Sequence, residues 1–276
     1  MSSKMVREEQ EMREAKRLAQ ADASALVDSD RLTSAVKDVY RQVAREDDAE
    51  LHFEVGRPLA ERLGYSPELL DRLPDGALAS FAGVGHHFHL AQLEPGEAVL
   101  DLGSGSGTDV FYAAIQVGAE GRVVGVDFTD EQVRKARGLA SDHGFEGVEF
   151  IEGRIEELPL ADASFDAVIS NGVINLSPVK HRVFAEAARV LRPGGRLAVA
   201  DIVSGKPLKE RTRRNIDLWA ACVAGAIPGS SYVEAIEAAG LTVTASDRND
   251  YRFISGRALE ACGTYEIESV SLLATK

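Results

Sequence analysis

The sequence is poor in the residues that staple or anchor a chain. Two cysteines, Cys222 and Cys262, among 276 residues exclude a disulfide scaffold and make a reducing compartment the default. No run approaches the roughly eighteen apolar residues that a membrane span needs. The first 25 residues alternate Glu, Arg, Lys and Ala and lack the apolar stretch of a secretory signal. Basic residues are the minority charge: 31 Lys and Arg stand against 44 Asp and Glu, a formal net charge of −13 that argues against a large nucleic-acid footprint. These absences predict a cytoplasmic protein whose partners include neither nucleic acid nor membrane, either a monomer or a homodimer. What is present is ordinary for a globular chain, 45% hydrophobic and 27% charged residues, at a length that supports a core without staples.

Residues 1–45 carry many charges and alanines and no Gly or Pro, which predicts one or two polar helices, either a solvated arm or a lid over a site. Between 46 and 97, Pro58, Pro67, Pro74 and Pro95 and six glycines predict short helices and loops packed against something larger. From Ala98 the pattern alternates. Strands are expected at Ala98–Leu102, Arg122–Phe128, Val148–Glu152, Phe165–Ser170 and Arg196–Val203. Helices are expected near Thr108–Val117, Asp130–His143 with Thr129 as N-cap, and Pro178–Leu191, stopped by Pro193-Gly194-Gly195. A further helix near Tyr232–Ala239 and candidate last strands at Leu241–Asp247 and Ile267–Ala274 complete the reading. The fold class is α/β: a Rossmann-like, doubly wound seven-stranded sheet, mostly parallel with one antiparallel strand, and an N-terminal helical extension. The expected division is a helical arm and lid over 1–75 and a main domain over 76–276, with a pocket-forming insert at about 205–232.

The most informative segment is Leu100-Asp101-Leu102-Gly103-Ser104-Gly105-Ser106-Gly107-Thr108-Asp109, where a strand runs into three alternating glycines and then a helix. Backbone without Cβ atoms turns tightly and lets a ligand approach, and the helix N-terminus adds positive potential. Asp127, twenty residues beyond Gly107 at the end of the next strand, is placed to accept both hydroxyls of a ribose, or else to cap the following helix. A dinucleotide fingerprint is G-x-G-x-x-G. Here the spacing is Gly-x-Gly-x-Gly, and Asp101, two before the first glycine, would repel a pyrophosphate but suits an ammonium group.

Asp101-x-Gly103-x-Gly105-x-Gly107 resembles motif I of class I S-adenosylmethionine-dependent methyltransferases. Glu152–Leu160, Phe165–Asn171 and Leu191–Leu197 are similar to that family's later segments, so the resemblance covers about residues 80–250. It implies S-adenosylmethionine as cofactor, with S-adenosylhomocysteine as product. It places Asp101, Gly103, Ser104, Gly105 and Gly107 around the methionine portion, Asp127 and Phe128 at the ribose, Ile155 and Glu156 beside adenine, and Asn171 at a strand end facing the ligand. Within the superfamily, Ser170–Pro178 and Trp219–Ala226 resemble arsenite methyltransferases, and Ser80–Gly85 is a third likeness. In those enzymes cysteines hold trivalent arsenic, as soft thiolates do. Gly172 stands where the arsenic enzymes carry a cysteine, and residues 46–60 contain none; Cys222 matches a family cysteine.

The expected acceptor is therefore a small organic molecule in a pocket that includes Gly172, Trp219 and Cys222, methylated in line with the departing sulfur. An arsenite methyltransferase relying on Cys222 is the first alternative, and a non-catalytic cofactor-binding partner protein the second. A nucleophile that must lose a proton needs a base. His86 and His87, in the run His86-His87-x-His89, are the candidates, with His52 a further possibility and Tyr251 a hydrogen-bonding one. The run lacks a companion carboxylate motif, so no metal site is expected.

Overall fold

In the computed structural model, which describes residues 13–14, 16–45 and 53–276, the apolar runs become a seven-stranded sheet. The strands are β1 (Ala98–Leu102), β2 (Arg122–Asp127), β3 (Val148–Glu152), β4 (Phe165–Asn171), β5 (Leu191–Val203), β6 (Thr242–Arg248) and β7 (Glu268–Thr275). Their order is β3-β2-β1-β4-β5-β7-β6, parallel except for β7, which runs antiparallel to both β5 and β6. We label seven helices: α1 (Ser29–Arg45), α2 (Arg57–Leu63), α3 (Thr108–Val117), α4 (Asp130–Asp142), α5 (Lys180–Val190), α6 (Gly229–Ala238) and α7 (Gly256–Tyr265).

The central strands are buried on both faces, as their near-continuous apolar sequences require. Leu100, Leu102, Val124 and Val126 point to the face covered by α5 and α6, where Phe184 and Tyr232 pack. Val99, Val123 and Ile169 point to the other, against Phe111 of α3 and Val133 of α4. Leu59, Leu63, Tyr65 and Leu70 join this second core. Residues 57–70 thus pack against the sheet layer, in keeping with the expectation of short helices against something larger over 46–97.

Strand boundaries follow the sequence with one instructive difference. β5 starts at Leu191 and not Arg196: Leu191 pairs with Phe165, the chain bulges out at Pro193–Gly195, and the ladder resumes at Ala167 with Arg196. The expected Thr129 N-cap makes no side-chain capping bond to the helix; Asp127 accepts its backbone N–H.

Helix α1 has a polar composition but a continuous inward stripe, with Leu32, Val36 and Val43 buried. Asp28 accepts the N–H groups of Asp30 and Arg31 at its start. Its far end is tied to α4: Arg41 bonds Glu131 at 2.9 Å, Gln132 donates to Tyr40 O at 2.9 Å, and Lys135 donates to Ala44 O at 2.8 Å. Because β1 leads to β2 on one side while β4 lies on its other side, the strand order reverses at β1/β4. The carboxyl ends of that pair, below α1, are where open α/β sheets bind ligands.

Candidate active site

At this switch point lies a two-lobed cleft of about 660 and 530 Å³. The lobes share Val36, Gly103, Asp127, Phe128, Val173 and Leu176. Asp101, Ser104, Asp109, Asn171 and Gly172 line the larger lobe, and Arg154, Ile155, Glu156 and Ser177 the smaller. Of the expected cofactor residues, Asp101, Gly103, Ser104, Gly105, Asp127, Phe128, Ile155, Glu156 and Asn171 all line one lobe or both.

Asp101, at the inner end, is 2% exposed, and no hydrogen bond reaches its carboxylate from the described residues. Burial, with Asp109 and Asp127 close by, pushes its pKa well above the carboxylate range. Ser104 Oγ is also buried without a partner among the described residues. Asp109 is satisfied: it accepts from Tyr65 OH at 2.7 Å and from Asn171 Nδ2 at 3.1 Å, while burial raises its pKa to about 6. Asn171 spends its amide on the protein. Its oxygen accepts from Val84 N at 2.8 Å and its nitrogen donates to Gly85 O at 3.0 Å, so it pins the 83–85 segment over the strand ends.

Asp127 takes the capping position that the sequence offered as one alternative and also stands in the cleft wall. It accepts Gly105 N–H at 3.0 Å and Thr129 N–H at 2.8 Å, yet it borders both lobes. Burial raises its pKa and these N–H groups oppose the rise. At the outer end Phe128 carries the Lys37 ammonium 5.5 Å over its ring, and Glu156 accepts from Ser177 Oγ at 2.7 Å.

The glycine loop differs from expectation in where its N–H groups point. Gly103 and Ser104 both donate to Val126 O, Gly105 donates to Asp127, and Gly107 donates to Ser104 O. The glycines therefore act by leaving space. A Cβ on Gly103, whose φ is +74°, would lie 2.4 Å from Val173 Cγ2. Gly103→Ala is expected to lower stability by about 2–4 kcal/mol, the sum of left-handed backbone strain and overpacking. Urea unfolding measures it, and an unchanged midpoint would show that Val173 yields freely.

Five expected residues line neither lobe: His86, His87, Trp219, Gly107, which packs against Phe150 and Phe111, and Cys222. His86 sits against Tyr65 and His89, with ring centroids 4.7 and 5.5 Å away. His87 is fully buried, stacked on Phe88 at 4.5 Å. Neither is among the cleft-lining residues, and burial depresses their pKa values to about 4 and about 3, so they stay neutral and away from the ligand space. Trp219 donates from Nε1 to Arg213 O and faces Lys180 in a separate cavity of about 310 Å³. His52 lies outside the described residues.

Cys222 approaches the cleft from behind its wall. Its backbone is left-handed, φ +60°, an uncommon conformation for a side chain with a Cβ. Its thiol donates to Gly172 O at 3.8 Å and meets Tyr40 OH at 3.8 Å. Burial pushes its pKa up to about 12. Cys262 stands on α7, half-buried, and does not line the cleft. Among the described residues no three His, Cys, Asp or Glu side chains gather as a metal site, and no helix is long and apolar enough to cross a membrane.

Sequence reasoning missed Tyr40, Gln132 and the pairing of Tyr65 with Asp109. The signal for Tyr40 was the four-residue spacing Leu32, Val36, Tyr40, which puts all three on one helical face.

Comparison with known proteins agrees with this geometry. A family model described as a methyltransferase domain matches residues 93–252. An arsenite methyltransferase from Halobacterium salinarum is 47% identical over 167 residues, covering 60% of this chain and 42% of that protein. A demethylmenaquinone methyltransferase from Listeria monocytogenes is 37% identical over 113 residues, covering 41% of this chain and 47% of the other. The chain thus spans less than half the length of these curated relatives. The crystal structure of an arsenic(III) S-adenosylmethionine methyltransferase from Chlamydomonas reinhardtii is 30% identical, with a TM-score of 0.59 over 80% of this chain and 74% of that one. The chain belongs to the methyltransferase-domain family, among the class I enzymes that use S-adenosylmethionine and near the arsenite methyltransferase group.

Proposed function

We propose that this chain transfers a methyl group from S-adenosylmethionine to a small organic acceptor. The residues fit the cofactor. Asp101, a buried carboxylate without a counter-charge, suits the ammonium of the methionine portion. Asp127 retains free lone pairs for ribose hydroxyls beyond the two N–H groups it accepts. Phe128 and Ile155 offer apolar surface to adenine, and Glu156 a hydrogen-bond acceptor. When bound, the cofactor supplies a methyl carbon on a positively charged sulfur. The chain's own residues fix the ligand, and α1 covers both lobes through Leu32, Val36 and Tyr40, so it acts as the lid that excludes water.

The observation that carries the organic acceptor is the state of Cys222. Among the described residues it is the one thiol against the cleft wall, touching Tyr40 and Gly172 without lining either lobe, and burial pushes its pKa up to about 12. Soft metalloid binding requires deprotonated thiolates, and more than one for a firm grip. The names of the relatives favour a second reading, arsenite methylation through Cys222.

A methyl-labelled cofactor separates the two. We expect labelled product from a metabolite extract, and none from arsenite with excess thiol. Arsenite turnover that disappears in Cys222→Ser would overturn the organic reading. Labelled product in either arm removes a non-catalytic cofactor-binding role.

A further inference from the structure

Tyr40 is the polar residue of the lid among those lining the larger lobe. Its neighbours there, Val36, Phe81, Val173 and Leu176, are apolar. Its backbone is fixed by Gln132, and its ring stacks on Phe53 at 6.2 Å. Its hydroxyl, by contrast, meets only the Cys222 sulfur among the described residues, at 3.8 Å, a weak partner that a ligand oxygen would displace.

The titratable groups lining this lobe are otherwise committed. Asp109 is held by Tyr65 and Asn171, Asp127 by two backbone N–H groups, and Asp101 by the ammonium on the reading above. With His86 and His87 outside the cleft, no uncommitted base remains among its described residues. An acceptor that reacts here must already carry its lone pair. From this juxtaposition, and resting on the methyl-transfer reading, we propose that Tyr40 is the acceptor-orienting residue, donating its O–H to the oxygen of a small, largely apolar molecule bound as a phenolate or enolate.

The charges balance. The anion gives an electron pair to the methyl carbon, the carbon–sulfur bond breaks, and its pair returns to sulfur. An anion and a sulfonium cation become two neutral products, and no proton moves within the cleft. The acceptor's proton is lost to solvent on binding. Around Tyr40 stand Cys222, Tyr251 and Asp127; burial first, and these groups after it, hold the phenol protonated and therefore a donor.

The test uses 4-nitrophenol, whose visible absorbance reports its ionisation, bound to the protein with S-adenosylhomocysteine in place. A neutral donor on the phenolate oxygen lowers the probe's apparent pKa. We expect Tyr40→Phe, which keeps the ring on Phe53, to leave S-adenosylhomocysteine affinity unchanged and to raise the bound probe's apparent pKa by about one unit, a tenfold effect. Cys222→Ala, which frees the hydroxyl of its sulfur partner, is expected to move the probe the other way. A probe that binds neither protein, or one with the same spectrum in wild type and Tyr40→Phe, overturns the proposal while the cofactor reading stands. Failure of S-adenosylhomocysteine itself to bind wild type overturns both.

Discussion

Replacing Asp127 by alanine is expected to weaken S-adenosylhomocysteine binding at least tenfold and to cost the unliganded protein about 2–6 kcal/mol, since one buried and one part-buried N–H donor are left without acceptors at roughly 1–3 kcal/mol each. The donors are those of Gly105 and Thr129, so the substitution loosens the glycine loop and the first turn of α4 together. Asp127→Asn separates the contributions. Its single carbonyl can still accept one N–H, but its amide presents donors where a carboxylate accepts. Asparagine should therefore recover part of the stability and little of the affinity. Calorimetric titration gives the affinity and urea unfolding the stability. Unchanged affinity in a destabilised alanine variant would show that Asp127 only holds the turn and that the ribose is bound elsewhere.

Asp127 also shows how far the sequence could be read. Its position at the end of an apolar strand was legible, because the distance from strand to glycine loop to acidic residue is a property of the chain. The choice between ribose ligand and cap was posed as exclusive. It is not, because a carboxylate has about four acceptor sites and the backbone takes two. The sheet was legible for the same local reason: its central strands are apolar runs bounded by turn residues. β5 was misplaced by five residues because pairing of Leu191 with Phe165 is a tertiary event that no local signal announces.

The site beyond the loop was less legible. Tyr65, Asp109 and Asn171 meet from positions 44 to 106 residues apart. The inward stripe of α1 was hidden by the charges on its other faces, and the stripe alone does not say that it would close a cleft. Trp219 read as pocket-lining because its segment resembles one. Its indole instead turns to Arg213 O and Lys180, leaving Cys222, three residues on, to reach Gly172.

The histidines supply a test of stability against pH. His87 is fully buried, and neither ring nitrogen has a partner among the described residues. Burial first, with His86 and His89 adding to it, holds its pKa near 3, whereas an unfolded histidine titrates near 6.5. Between these values the unfolded chain binds a proton that the folded chain refuses, so stability falls as pH drops from about 6.5. At about pH 5 the loss from His87 is roughly 2 kcal/mol, 1.5 pH units at 1.36 kcal/mol each. Asp109 and Asp201, both raised to about 6 by burial, work in the opposite direction. They bind protons when folded and stabilise the protein as pH falls from about 6 toward 3.8. The wild-type profile is thus a sum of opposed slopes, and the difference between two proteins isolates one of them. His87→Leu keeps a similar volume against Phe88 and removes the titration. Its stability relative to wild type should improve by about 2 kcal/mol between pH 8 and pH 5 in urea unfolding. Parallel profiles for the two proteins would mean that His87 is protonated where it sits, which would require an acceptor beside it and would reopen its case as a proton-carrying residue.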